Sequence, residues 1–119
     1  MKKIYHKLIR DKIPEIIIGA GETPKIRKLG QKEFRIELKK KVLEEAKELI
    51  KAKSKDEILN EMVDLCELLD FLGREFRINS RMIKTQKLKK NKERGSFTKK
   101  LFLIETDPSG LGPAETEIK

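Results

Sequence analysis

The chain has 119 residues and a formal net charge of +9, with 37% hydrophobic and 41% charged side chains. This length suits a single domain, and no apolar run approaches the roughly 20 residues needed to cross a bilayer. The only cysteine, Cys66, can form neither an intrachain disulfide nor a metal–thiolate cluster. Because the N-terminus also lacks the apolar core of a signal peptide, the sequence predicts a cytoplasmic protein without membrane contact.

Residues 1–30 are predicted to be irregular apart from one short helix. Pro14 suits the first turn of this helix, which covers Ile16 to Ile18 and ends at Gly19. Residues 25–30 could be extended. The pattern therefore indicates that most of the regular structure begins after residue 30.

Two long helices are predicted next, over residues 31–52 and 55–73, because apolar residues recur there at helical spacing. Ser54 and Glu57 have the form of a capping box at the start of the second helix. The connection is so short that the two helices should pack antiparallel. Cys66 falls within the apolar pattern and is expected to be a core thiol. The expected facing residues are Phe34, Leu38, Val42, Ala46, Leu49 and Ile50 of the first helix and Ile58, Met62, Leu65, Leu69 and Leu72 of the second.

A third long helix, strongly basic, is predicted over residues 79–92, and residues 99–105 form a short apolar segment of extended type. The tail from residue 106 holds two prolines and two glycines and is expected to be disordered. The predicted fold class is therefore all-α, an antiparallel helical bundle with short extended segments near the termini. Its domain covers residues 1–105, followed by the tail 106–119.

The core of such a bundle must be thin and mostly aliphatic. The chain has five phenylalanines, one tyrosine and no tryptophan. A thin helical core in a short chain often needs an oligomer to complete it. We therefore expect a homodimer or a higher homo-oligomer.

Two carboxylate pairs with the same three-residue spacing interrupt the apolar stripes of the long helices: Glu45 with Glu48, and Glu61 with Asp64. At about 100° per residue, Glu45 and Glu61 fall inside their stripes, whereas Glu48 and Asp64 lie at the border. An ionised carboxylate is costly among leucines unless its charge is compensated. Two antiparallel helices could aim all four groups at one bound cation.

Oxygen ligands of this kind suit Mg²⁺, with Mn²⁺ as a substitute, and Mg²⁺ in turn accepts phosphate oxygens of a substrate. The chain has one histidine and no cysteine cluster, which makes zinc a poor fit. The alternative is a pair of solvated helix faces with salt bridges such as Lys41 to Glu45. That alternative explains exposed carboxylates better than it explains Glu45 and Glu61.

The net charge of +9 attracts phosphate-bearing partners in general, whether nucleotides, nucleic acids or anionic lipids. A lysine-rich composition, as in heat-adapted organisms, is an alternative reading of the same charge. A basic helical module that binds nucleic acid would show steeply salt-dependent binding, and a regulatory module would lack catalysis altogether. The nucleic-acid module does not account for Glu45 and Glu61 within apolar stripes, so a nucleic-acid partner is disfavoured. The regulatory module predicts that removal of these carboxylates stabilises the protein and costs no activity.

The carboxylates also belong to a recognisable pattern. EEAKE at residues 44–48, twelve residues and then EMVD at 61–64 resembles the E-E-x-x-E … E-x-x-D signature of the MazG-like all-α nucleotide pyrophosphohydrolases. KLIRDKIP at residues 7–14 is similar to the N-terminal motif of a compact subfamily labelled phosphoribosyl-ATP pyrophosphohydrolase-like. ERGSF at 93–97, followed by LFL at 101–103, is similar to its C-terminal motif, with Ser96 in place of a second glycine. The resemblance covers about residues 4–105.

This resemblance implies hydrolysis between the α- and β-phosphates of a nucleoside triphosphate, giving a monophosphate and pyrophosphate. By position it implies that Glu45, Glu48, Glu61 and Asp64 are the Mg²⁺ ligands. It gives catalytic roles to Glu45 and Glu61 and, as an outer group that helps to orient the attacking water, to Glu44. Phosphoribosyl-ATP and non-standard nucleotides removed by house-cleaning both stay open as substrates.

Basic residues of the family-like segments and of the third long helix are candidates for binding the phosphates. Arg10 and Arg94 rank first because a guanidinium can grip phosphate oxygens in a bidentate way. Any single lysine among the candidates could instead be a solvated surface residue. The predicted set is Lys7, Arg10, Lys12, Lys87, Lys90 and Arg94.

Overall fold

The computed structural model describes residues 1–108, and across them the chain forms four helices and no strand. These are α1 (Ile13–Gly19), α2 (Gln31–Lys51), α3 (Lys55–Glu75) and α4 (Ser80–Arg94). The all-α prediction is confirmed, whereas the segments 25–30 and 99–105 form no strand. Of the tail predicted to be disordered, residues 109–119 lie outside the described part of the chain.

A capping box joins the two long helices, as the sequence predicts. The Ser54 hydroxyl accepts a hydrogen bond from the backbone N–H of Glu57, and the Ser54 N–H donates to the Glu57 carboxylate, both over 3.1 Å. Two of the otherwise unpaired N–H groups at the start of α3 are thereby satisfied. The turn is thus fixed in place, which sets how α3 folds back along α2.

The two long helices pack antiparallel. Arg35, near the start of α2, donates from Nε to the Glu75 carboxylate at the end of α3 over 3.2 Å, and from Nη2 to the Glu75 carbonyl over 3.0 Å. Leu38 lies one turn further along α2 and is only 2% exposed, the one buried hydrophobic side chain in residues 1–108. The predicted pairing of the helices is therefore confirmed, and its core is as thin as the composition suggests.

Much of the apolar surface of α3 is not covered by α2. Met62 and Leu69, expected in the facing stripe, are each about half exposed. Cys66 is also exposed, so the prediction of a core thiol is wrong for the described chain. The physical reason is that the apolar residues of α3 span a wider arc than one neighbouring helix can bury.

Helix α3 ends in a tight turn that depends on a glycine. The N–H of Ile78 donates to the carbonyl of Gly73 over 2.7 Å, and Arg77 between them has a left-handed φ of 56°. This is the hydrogen bond of a Schellman motif. It brings the chain back so closely that a Cβ on Gly73 would lie 2.5 Å from the Ile78 carbonyl oxygen.

Gly73→Ala is expected to destabilise the protein. The added methyl group would push the Ile78 backbone away, and such overpacking costs about 1–3 kcal/mol, partly offset by the higher helix propensity of alanine, about 1 kcal/mol. Urea unfolding should show a lower midpoint at an unchanged slope. Gly19→Ala, where a Cβ meets nothing within 4 Å, is the control and should not lower the midpoint. Equal midpoints for the two variants would contradict the close contact at Gly73.

The chain divides into two compact units, Met1–Asn79 and a second that begins at Ser80. The first contains α1 to α3. The second contains α4, a basic helix with no buried residue. Within residues 1–108, none of the helices combines the length and the apolar character required to cross a membrane.

Candidate metal centre

Three carboxylates converge between the long helices. Glu45 comes from α2, and Glu61 and Asp64 come from successive turns of α3. One oxygen of each lies within 4.8 Å of the others, and all three side chains are partly buried. The antiparallel packing places the middle of α2 beside the first half of α3, and this is why residues distant in sequence meet at one point.

Glu61 carries the least compensated atom of the cluster. Its Oε2 is buried, and no hydrogen-bond donor in the described part of the chain reaches it. Its Oε1 is 3.5 Å from the Asn60 side-chain amide, a long contact. A buried charged oxygen without a partner costs more than an ordinary hydrogen bond contributes. A cation bound at the cluster would compensate the charge of this oxygen.

The neighbouring carboxylates also change the pKa of Glu45. Partial burial, a shared hydrogen bond with Glu61 and repulsion from Glu61 and Asp64 raise the pKa of Glu45 from 4.5 to about 7, while Lys41 opposes the shift. Without a metal, Glu45 thus keeps its proton to higher pH than an ordinary glutamate does. A divalent cation would replace that proton.

Basic side chains surround the cluster. Arg10 donates from Nη2 to Oδ1 of Asp64 over 2.7 Å. The Lys41 ammonium lies 3.4 Å from Glu44 and 3.9 Å from Glu45. Lys7 also reaches Glu44, over 3.4 Å. These cations balance the outer carboxylates and leave the buried oxygen of Glu61 without a partner.

The donor set fits a hard divalent cation. It offers three carboxylates from two helices, one buried unpartnered oxygen, and one carboxyl that holds its proton unusually strongly. Oxygen-only sites with few protein ligands are typical of Mg²⁺, which keeps its remaining positions for water and phosphate. Glu45, Glu61 and Asp64 are thus the residues that would hold the ion.

The other predicted acidic residues lie outside this group of three. Glu48 is half exposed, and its carboxylate is 3.9 Å from the Lys51 ammonium. Glu44 is held by Lys7 and Lys41 at the edge of the cluster. Glu48 as a fourth ligand and Glu44 as an outer catalytic group therefore stay predictions.

The predicted phosphate-binding residues fall into two sets. Lys7 and Arg10 contact carboxylates at the cluster, and Lys12 is exposed at the start of α1. The other three lie on α4 in the second unit and are exposed: Lys87, Lys90 and Arg94.

A groove of about 470 Å³ runs along the outer side of α3. Apolar side chains provide most of its lining, and Arg10 also lines it. Because Arg10 also contacts Asp64, it connects the groove to the acidic cluster. The other lining residues are Leu59, Met62, Val63, Cys66, Glu67 and Asp70.

The ion pair between Arg10 and Asp64 is the feature of the site that sequence reasoning missed. The two residues are 54 positions apart, and no periodicity relates an irregular N-terminal segment to a helix. The sequence marks Arg10 only as a cation within a recognisable motif. Its partner follows from the tertiary structure alone.

No family model, curated protein or solved structure matches this chain. The resemblance to the MazG-like enzymes therefore rests on the motifs themselves.

Proposed function

We propose that this protein is a Mg²⁺-dependent nucleoside triphosphate pyrophosphohydrolase with a MazG-like helical bundle. The observation that carries the proposal is the convergence of Glu45, Glu61 and Asp64 within 4.8 Å, with one buried oxygen of Glu61 left unpartnered. These are motif positions to which the family resemblance gives metal-binding roles. A purely structural cluster would leave that oxygen uncompensated at a cost in stability.

In the proposed reaction, water attacks the α-phosphorus, and the bond from that phosphorus to the oxygen bridging to the β-phosphorus breaks. The products are a nucleoside monophosphate and pyrophosphate, without any covalent intermediate on the protein. Glu45, Glu61 and Asp64 would hold Mg²⁺, and the family resemblance would add Glu48 as a fourth ligand. When bound, Mg²⁺ supplies the positive charge that neutralises and positions the phosphates.

The remaining residues act around this centre. Glu44, oriented by Lys7 and Lys41, accepts a hydrogen bond from the attacking water and orients it. Arg10 binds a phosphate oxygen, for which its planar guanidinium is well shaped. Further phosphate contacts are proposed for Lys7 and Lys12, whereas Lys87, Lys90 and Arg94 stay predictions from the resemblance.

The proposal is tested by measuring pyrophosphate release from a panel of nucleotides with and without Mg²⁺. The panel should contain the standard triphosphates, oxidised and deaminated analogues, and phosphoribosyl-ATP. Metal-dependent release from at least one member is the expected result, and its identity would separate house-cleaning from phosphoribosyl-ATP hydrolysis. Absence of release from every member would sink the proposal.

The active form is proposed to be a homodimer or a higher homo-oligomer. Ile36, Leu43 and Ile50 recur every seven residues along α2 and are all exposed. Together with the uncovered face of α3, they form an apolar surface that lies outside the contact between α2 and α3. The two helices alone cannot bury this surface, and a second copy of the chain could. Sedimentation velocity at micromolar concentration should give at least twice the 13.9 kDa chain mass. A single monomeric species would contradict this prediction.

A further inference from the structure

Residues 7–12, which we call the N-terminal strap, cross the acidic cluster and contact both long helices. Lys7 pairs with Glu44 of α2 over 3.4 Å, and Arg10 pairs with Asp64 of α3 over 2.7 Å. Between them, Leu8 and Ile9 are partly buried. The strap is thus fixed by its apolar residues and aims two cations at the carboxylates.

The contact of Arg10 conflicts with metal binding. Asp64 is one of the three carboxylates that could hold an ion, and its Oδ1 is already engaged by the guanidinium. A cation at the cluster and Arg10 therefore compete for the same carboxylate charge. The Arg10 side chain is 54% exposed, so it has room to turn away without unpacking a core.

The position of Arg10 also suggests where it goes after release. It lines the groove along α3 and also contacts Asp64 of the cluster. A phosphate chain bound at the cluster would place anionic oxygens next to the freed guanidinium. Arginine binds phosphate oxygens at least as readily as it binds a carboxylate. It can donate two parallel N–H groups to either partner.

We propose that Arg10 is an exchangeable counter-cation, which holds Asp64 before the metal binds and moves to the substrate phosphates afterwards. This inference rests on the proposed function and extends it. The strap thereby couples the two binding events: the metal releases Arg10, and the released Arg10 strengthens phosphate binding. Arg10 thus lowers the affinity of the cluster for the metal alone. It raises the affinity for the metal when a phosphate ligand binds with it.

The first test is the affinity for Mn²⁺ alone, measured by electron paramagnetic resonance on the full chain. Arg10→Gln should bind Mn²⁺ about two- to fivefold more tightly than the parent protein, the size expected for loss of one half-exposed ion pair. Arg10→Lys, which keeps the charge, should lie closer to the parent. The matched control is Arg27→Gln, because Arg27 forms a similar exposed pair with Glu33 over 2.6 Å, and its affinity should equal that of the parent.

The second test follows the strap in the unaltered protein by hydrogen–deuterium exchange. Mg²⁺ alone should speed exchange over residues 7–12, because it removes the tie between Arg10 and Asp64. Mg²⁺ with inorganic tripolyphosphate, which presents a phosphate chain without a base, should slow exchange again. A merely structural ion pair predicts no acceleration in the first step.

The possible failures are distinguishable. If Mn²⁺ binds the parent and Arg10→Gln equally, or if Arg27→Gln tightens binding as much as Arg10→Gln does, the exchange is refuted while the metal centre stands. Slower exchange of the strap with Mg²⁺ alone refutes it as well. If neither protein binds Mn²⁺, the proposed function falls, and the inference falls with it.

Discussion

Glu61→Gln is expected to lower the rate of Mg²⁺-dependent pyrophosphate release at least about 100-fold. Mutation of a residue that only hydrogen-bonds a metal ligand already lowers metal affinity or activity about 10- to 100-fold. The substitution keeps the volume of the side chain and removes only the charge. Activity should be measured with whichever nucleotide of the panel gives the most pyrophosphate. Affinity for Mn²⁺, measured alongside, should fall in parallel.

The same substitution should leave the fold intact and the metal-free protein at least as stable as its parent. The buried Oε2 of Glu61 has no hydrogen-bond partner in residues 1–108. Removal of the charge therefore removes the cost of burying it and breaks no favourable interaction of this atom. An amide can also donate a hydrogen bond to Glu45, with which the carboxylate of Glu61 is in repulsion. Circular dichroism and urea unfolding measure both effects.

Asp56→Asn is the matched control for Glu61→Gln, because Asp56 is an exposed carboxylate in the first turn of the same helix. It should keep the activity of the parent. Full Mg²⁺-dependent activity in Glu61→Gln would refute the ligand assignment. Loss of activity together with loss of helical signal would instead give Glu61 a structural role.

Sequence periodicity located the centre of the cluster but not its edges. Periodicity predicts Glu45 and Glu61 inside the apolar stripes, and both belong to the group of three converging carboxylates. Glu48 and Asp64 have identical border positions in the sequence, yet only Asp64 joins the group of three. The difference lies in how the helices pack, because Glu48 points to the exposed end of α2 near Lys51. Helical angles within one helix carry no such information.

The features that sequence reasoning missed depend on tertiary contacts. Cys66 and Met62 have apolar neighbours at helical spacing, so both were placed in the core, but α2 covers only part of α3. The pairing of Arg10 with Asp64 joins an irregular segment to a helix. In contrast, local signals such as the capping box at Ser54 predicted the structure to within a residue or two, because their interactions lie within one turn.

The metal-free protein is expected to become less stable as the pH rises from about 5 to about 8. The pKa of Glu45 is raised from 4.5 to about 7 by burial and by its acidic neighbours. Between these values the folded state binds more protons than the unfolded state, so the free energy of unfolding falls with pH. A shift of this size corresponds to an upper bound of about 3.4 kcal/mol, which solvent screening of the partly exposed carboxylate lowers.

Glu45→Gln removes the ionisable group and should flatten this part of the profile. The difference between the two proteins isolates Glu45, since they differ at this residue alone. Urea unfolding at several pH values, with a chelator present, provides the measurement. Asp56→Asn should retain the slope of the parent. A Glu45→Gln profile as steep as that of the parent would contradict the assignment of the slope to Glu45.

Mg²⁺ should raise the free energy of unfolding most at the pH values where the metal-free protein is least stable. A cation binds the ionised form of the cluster, so it must displace a proton at pH 5 but not at pH 8. Stabilisation by saturating Mg²⁺ should therefore grow with pH and be absent in Glu45→Gln. If Mg²⁺ stabilised the parent equally at both pH values, the ion would be binding elsewhere, because the proton held by Glu45 must leave before this carboxylate can bind a metal.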